Sequence, residues 1–299
     1  MNDGHATLSR LTRREWLLGS AGTLAGTVML ARVQGAVAQA RSAGLKVGMC
    51  DWSMKREDPG AFELGRQIGL DGIEVSIGTV ENNLWLRRPE VQKQYLEAAR
   101  RYELQIPSVA MGVLNYVALM SEPRAALWVA DTIEATKALG ARLILVALFI
   151  KGELKEQNAE DMRRVTEALV ELAPRAEKAG VVLGLESYLS AEAHLKMIEA
   201  VKSKYVQVYY DVFNAAHARH DVLKEIRLLG REHICQVHFK DHPELEKGSR
   251  SVNWPAVVAA LKDIQYPGWI VLETGSPKDV VTDTKKNLAY VRRLFADKS

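Results

Sequence analysis

Four ionisable side chains each close an apolar run in the C-terminal half of this 299-residue chain. Val181-Val182-Leu183-Gly184-Leu185 ends in Glu186, and Val206-Gln207-Val208-Tyr209-Tyr210 ends in Asp211. Ile234-Cys235-Gln236-Val237 ends in His238, and Trp269-Ile270-Val271-Leu272 ends in Glu273. The separations are 25, 27 and 35 residues, each about one strand plus a returning helix. Brought to one rim, three carboxylates and an imidazole need a counter-charge. At about 4 Å and an effective dielectric near 20, each carboxylate pair repels by on the order of 4 kcal/mol. One divalent cation removes that penalty. Oxygen-rich ligation with a single nitrogen suits Mn²⁺ or Mg²⁺, with Co²⁺ a further candidate, better than a thiolate-type zinc site. Taken singly, each residue reads equally well as a solvated strand end or an ion-pair partner. Recurrence of the offset on four successive strands favours one metal site.

Such a site needs strands that deliver their C-terminal ends to one place. Eight β-branched or apolar runs begin near Leu45, Asp71, Leu104, Arg142, Val181, Val206, Ile234 and Trp269. Helical periodicity fills the gaps. Met162, Val165, Leu169, Leu172 and Ala176 step by 3, 4, 3, 4 with Gly180 as a stop, and Pro255 opens a helix carrying Val257, Val258 and Leu261. This alternation predicts an α/β protein, a closed (β/α)8 TIM barrel forming a single domain over residues 41–299, with functional residues at the C-terminal strand ends. A doubly wound open sheet is the alternative, but no Gly-rich phosphate loop follows the first strand. Side chains alternate along a strand, so His238 pointing inward carries Gln236 and Lys240 with it and turns Cys235 and Val237 toward the helices. The same parity turns Tyr209 inward with Asp211, Gly184 with Glu186, and Glu74 with Ser76.

Residues 1–40 read as a twin-arginine export signal, which places the mature protein in the periplasm. Arg13-Arg14 precede a Leu-, Gly-, Ala- and Thr-rich stretch, and Ala36-Val37-Ala38-Gln39-Ala40 offers small-residue cleavage sites. An ordinary secretory signal is the alternative. Gly19, Ser20, Gly22, Thr23, Gly26 and Thr27 interrupt the stretch, so no stable membrane anchor is expected. Without this segment 36 basic and 35 acidic residues remain, which argues against a nucleic-acid partner. Cys50 and Cys235 are too few for a disulfide framework and are expected to be free, buried thiols.

The segments Gly184-Leu185-Glu186-Ser187, Tyr209-Tyr210-Asp211-Val212-Phe213-Asn214, His238-Phe239-Lys240-Asp241 and Leu272-Glu273-Thr274-Gly275 resemble the signature segments of the xylose-isomerase-like TIM-barrel superfamily. That group holds sugar isomerases and epimerases and also endonuclease IV. The likeness extends upstream to Leu70-Asp71-Gly72-Ile73-Glu74-Val75 and covers most of residues 45–275. It implies that Glu186, Asp211, His238 and Glu273 bind one Mn²⁺-type ion, and that Glu186 and Glu273 exchange protons with adjacent substrate carbons. A metal chelating the carbonyl and hydroxyl oxygens of a ketose would acidify the intervening C–H and stabilise an enediolate. A carboxylate on either face then moves the proton, a contribution of about 10²–10⁴-fold. Two positions depart from the ketose 3-epimerases of this superfamily. Asn214 stands where they carry a substrate-binding His, and Glu244 where they carry an Arg. The substrate is therefore expected to differ from a simple free ketose.

Four further residues are candidate substrate contacts. Lys240 either neutralises a substrate oxygen or holds a carboxylate, with a pair to Asp241 as the alternative. Asn214 either bonds a sugar hydroxyl or opens the next helix. Trp52 either stacks on a sugar face or packs at the rim. Glu74 contacts substrate or, as the favoured alternative, pairs with a barrel lysine. His217 and His220 read as a solvated helix face. Three functions follow: a sugar isomerase or epimerase acting on an unphosphorylated sugar or derivative; a lyase acting on a 3-keto glycoside; and an endonuclease IV-like phosphodiesterase or non-catalytic sugar binder. Seven histidines are few for a multi-metal nuclease, and a dead binder would be expected to have lost a ligand. The partner expected is a small carbohydrate, and a homo-oligomer is compatible with the sequence.

Overall fold

Eight short segments rich in β-branched and apolar residues form strands: β1 (Lys46–Cys50), β2 (Gly72–Ser76), β3 (Val109–Met111), β4 (Leu143–Ala147), β5 (Val182–Glu186), β6 (Val206–Asp211), β7 (Ile234–Phe239) and β8 (Trp269–Leu272). In the computed structural model, which describes residues 44–241, 244–248 and 252–296, they pair in sequence order and all in parallel. β8 closes on β1 from Lys46↔Trp269 to Met49↔Leu272. The result is the expected (β/α)8 TIM barrel, one compact unit over residues 45–299. The export signal expected over residues 1–40 lies outside the described residues. Among the described residues no helix is long and apolar enough to cross a membrane.

The returning helices are α1 (Ala61–Ile68), α2 (Pro89–Tyr102), α3 (Pro123–Ala138), α4 (Ala159–Ala179), α5 (Ala191–Val201), α6 (Val212–His217), α7 (Val222–His233), α8 (Trp254–Asp263) and α9 (Val280–Ala296). α4 shows why the periodicity was legible. Val165, Leu169, Leu172 and Ala176 are buried on one face, the Asn158 side chain accepts the Asp161 N–H at the N-terminus, and Gly180 ends the helix at φ 71°. β4 is buried at every position because helices cover one face and the barrel interior the other. The main core lies between strands and helices. A smaller cluster of Ala110, Leu143, Leu145, Ala147 and Tyr209 fills the interior. The short side chains of Ala110 and Ala147, near the C-terminal ends of β3 and β4, leave room that becomes the cavity described below.

Two expectations need correction. The third strand begins at Val109 rather than near Leu104. Gln105 makes only an isolated bridge to Gly72, and Pro107, which has no N–H to donate, separates it from the ladder. Cys235 does not face the helices. Val208 pairs with Ile234 but Tyr209 pairs with Gln236, so one extra residue bulges from β7. The bulge packs Cys235 against the interior cluster, where its thiol donates to the Val208 carbonyl at 3.1 Å. Both cysteines are free.

Candidate active site

His238, near the end of β7, is fully buried, and each of its ring nitrogens faces acid. Nδ1 looks toward the rim, 3.1 Å from Glu186 Oε1, 3.4 Å from Glu273 Oε2 and 3.9 Å from Asp211 Oδ2. Nε2 looks down the barrel, 3.1 Å from Glu74 Oε1 and 3.4 Å from Cys50 Sγ. Burial alone would push the imidazole's pKa down; Cys50 and the Glu186 carboxylate overturn that and raise it well above the ordinary value. The four rim residues come from the ends of four adjacent strands, as the spacing required. One ligand atom from each lies within 4.8 Å of the others.

This donor set fits a divalent cation. Asp211 Oδ1 is used, accepting the Asn214 N–H at 2.8 Å as the cap of α6, but Oδ2 is buried with no hydrogen-bond partner. Burial, then the nearby Glu186 and Glu273 carboxylates, drive the Asp211 pKa well up. Among the described residues Lys240 Nζ, 3.8 Å away, is the one cation near that oxygen and is too far to hydrogen-bond it. Three carboxylates and a ring nitrogen converging on one ammonium leave a buried negative charge that a divalent cation would neutralise. Glu186, Asp211, His238 and Glu273 would hold that ion.

The predicted neighbours divide into those the fold brings to the rim and one it buries beneath the cluster. Lys240 Nζ lies 3.1 Å from Glu273 Oε2 and 3.8 Å from Asp211 Oδ2, so it holds carboxylates. Trp52 Nε1 donates to Glu273 Oε1 at 3.2 Å. Burial pushes the Glu273 pKa up, but His238 and Lys240 outweigh it and keep the group below its ordinary value, hence ionised. Asn214 both opens α6 and lies at the site, with Nδ2 donating to Glu186 Oε1 at 3.4 Å. Glu74 is the exception. It is fully buried beneath His238, does not line the cavity and pairs with no lysine among the described residues. Instead it accepts from the Ser108 hydroxyl, from Tyr209 OH at 2.7 Å and from Gln236 Nε2 at 3.2 Å. A Glu74 acceptor at Nε2 fixes the ring and leaves Nδ1 for the rim, the arrangement that orients metal-binding histidines. Glu244 turns away to Lys247 and Lys286. His220 bonds the Tyr188 carbonyl at 3.1 Å, outside the cluster.

Above the acidic cluster lies a cavity of about 670 Å³. Glu186, Asn214, Lys240, Glu273 and Trp52 line one side, and Ala147, Phe149, Tyr188, Val113, Tyr116 and Val80 line another. Sequence reasoning does not single out the second group. Phe149 and Tyr188 stand two residues beyond the inward-facing Ala147 and Glu186, so strand parity could have found them. Val80 and Tyr116 sit in loops, where no periodicity marks them.

Residues 62–294 match the family described as a xylose isomerase-like TIM barrel, and the chain belongs to that family. In sequence it is similar to the 2-epi-5-epi-valiolone 7-phosphate 2-epimerase of Actinoplanes sp., 25% identical over 199 residues, which cover 66% of this chain and 73% of the relative. In structure it is similar to a D-psicose 3-epimerase crystallised with D-fructose, at TM-score 0.71 and 17% identity over 85% of this chain and 100% of that one. It is also similar to the 3-keto-D-glucoside 4-epimerase of E. coli, at TM-score 0.69 and 17% identity over 83% of this chain and 99% of that one. At such identities the superpositions establish the barrel.

Proposed function

We propose that the chain is a divalent-metal-dependent sugar epimerase or isomerase acting on an unphosphorylated sugar or sugar derivative. The observation that carries this is the convergence of Glu186, Asp211, Glu273 and His238 Nδ1 beneath a cavity, with the buried Oδ2 of Asp211 accepting no hydrogen bond. When bound, a Mn²⁺-type ion (Mg²⁺ and Co²⁺ being the alternatives) supplies positive charge that acidifies a C–H beside a carbonyl. The protein's own groups do the rest. Glu273, kept ionised by His238 and Lys240 and oriented by Trp52, removes the proton from carbon. Glu186, delivered by a different strand and oriented by Asn214, starts protonated and gives its own proton to the other face of that carbon. Lys240 is close enough to Glu273 to offer its ammonium to a substrate oxygen that gains charge.

Electrostatics supports an unphosphorylated substrate. Lys240 is the one cation among the described residues lining the cavity, and Glu273 and Asp211 already engage it. Glu57 and Glu81 line the same cavity, so a phosphate dianion would meet acid. The twin-arginine reading of residues 1–40 supports action in the periplasm, away from the main pool of sugar phosphates. A second reading, a lyase on a 3-keto glycoside, shares the first proton removal. It is favoured by a cavity larger than one sugar ring needs and by Glu244 lying away from the site.

NMR of the metal-loaded protein in D₂O, with free ketoses, aldoses and 3-keto glycosides, tests both. Deuterium at a retained carbon supports the epimerase or isomerase, and release of the aglycone supports the lyase. Neither event with any of these sugars overturns the proposal.

A further inference from the structure

The loops over β2, β3 and β4 carry an apolar surface that the proton-transfer chemistry does not use. Six large apolar side chains among the described residues are strongly exposed. Val80 (42%) and Tyr116 (61%) line the cavity, and Ile150 (58%) directly follows the lining residue Phe149. The remaining three lie on the separate helices α3, α4 and α7. Exposed apolar side chains gathered at a cavity mouth mark a ligand surface better than the same side chains scattered over helices.

The surface is also built to hold its shape. Phe149 packs edge-on against Tyr188 with centroids 4.9 Å apart, and its backbone N–H donates to Asn115 Oδ1 at 3.1 Å. Ile150 sits at φ 55°, a left-handed conformation that β-branched residues rarely adopt. Gly152 lies so near the Leu114 carbonyl that a Cβ there would approach its oxygen to 2.5 Å, so the loop after β4 packs directly against the loop after β3. Preorganised aromatic surface beside a polar floor is what a two-part ligand needs. A volume of about 670 Å³ suits a ligand larger than a single sugar ring.

We infer that Phe149, Tyr188, Tyr116 and Val80 form an aglycone subsite, and that the substrate is a glycoside with an apolar, preferably aromatic, aglycone. This rests on the proton-transfer reading of Glu186 and Glu273. It also constrains the sugar. An anomeric carbon locked in a glycosidic bond offers no carbonyl, so the acidifying carbonyl must be a ketone elsewhere on the ring. One carboxylate takes the proton from the carbon beside that ketone while the other, protonated at the start, delivers its own proton to the opposite face. The two groups thus exchange protonation states and the sugar keeps its oxidation level. The reaction that supplies such a substrate is the dehydrogenation of a ring hydroxyl of the intact glycoside.

The test compares methyl and 4-nitrophenyl glucosides in two forms on the metal-loaded full chain. Calorimetry gives the Kd of the unoxidised pair, and solvent-deuterium exchange gives kcat/KM of the 3-keto pair. The 4-nitrophenyl compound is expected to bind and exchange better by at least about tenfold. Tyr116→Ser and Phe149→Ala should each shrink that ratio toward one, Tyr116→Ser being the exposed substitution that leaves the core intact. Equal Kd for the two unoxidised glucosides, or a preference that survives both substitutions, overturns the subsite. A binding preference without any exchange leaves the subsite standing and removes the proton-transfer reading. Exchange without a preference does the reverse.

Discussion

Above β5–β8 each strand delivers an ionisable group to the rim of the barrel: Glu186, Asp211, His238 and Glu273, with Lys240 among them. Above β2–β4 the same rim carries Val80, Val113, Tyr116 and Phe149. The two halves are positioned differently because their chemistry tolerates error differently. Charged groups must meet within a few tenths of an ångström, so they sit at strand ends and are fixed by Trp52, Asn214 and Lys240 from neighbouring elements. Apolar contact is non-directional, so loops suffice, provided they are held as Asn115 Oδ1 holds the Phe149 N–H of the loop after β4.

The sharpest way to break this contrast is to neutralise the charged half without changing its shape. Glu186→Gln and Glu273→Gln should each lower solvent-proton exchange by on the order of 10²–10⁴-fold, with circular dichroism unchanged. Full activity in both would place the chemistry elsewhere. A smaller effect is expected one layer below. Glu74→Gln leaves the charged rim whole but loosens the His238 ring, so metal affinity measured by calorimetry should fall by about 10–100-fold. Unchanged affinity would make Glu74 a packing residue only.

The smallest effect lies at the seam between the halves. Asp51, just after β1, accepts from the Ser76 N–H at 2.8 Å and the Ser76 hydroxyl at 2.7 Å. Burial pushes its pKa from 3.8 to about 8. Between those two values the folded chain keeps a proton that the unfolded chain has lost, so this group's contribution to stability falls as pH rises through the window. Asp51→Asn does not titrate. Its Tm relative to the unsubstituted protein should therefore rise by a few degrees from pH 5 to pH 8.5. Parallel Tm curves would show that Asp51 is ionised throughout.

The charged half was readable in the sequence because a strand end is a fixed place. Once Leu185, Tyr210, Val237 and Leu272 are assigned to strands, the next residue is at the rim and its side chain direction follows from parity. The barrel followed from the same eightfold alternation. What escaped reading was either non-local or irregular. Parity turns Glu74 inward, as the structure does, but its partners Ser108, Tyr209, Gln236 and His238 lie 34 to 164 residues away in sequence, and nothing local distinguishes them from a lysine. The bulge that turns Cys235 inward and the proline that delays β3 each break the regular ladder on which parity depends. Val80 and Tyr116 lie in loops, where side-chain direction is set by tertiary contacts alone.

The central claim is that the acidic rim is a metal centre. Titration of the chelator-stripped chain with Mn²⁺, followed by calorimetry and by sugar exchange in D₂O, tests it directly. The account predicts uptake of one ion per chain, loss of that uptake in Asp211→Asn, and exchange activity that rises with occupancy. A stripped chain that takes up no ion at millimolar Mn²⁺ and still catalyses exchange would contradict it.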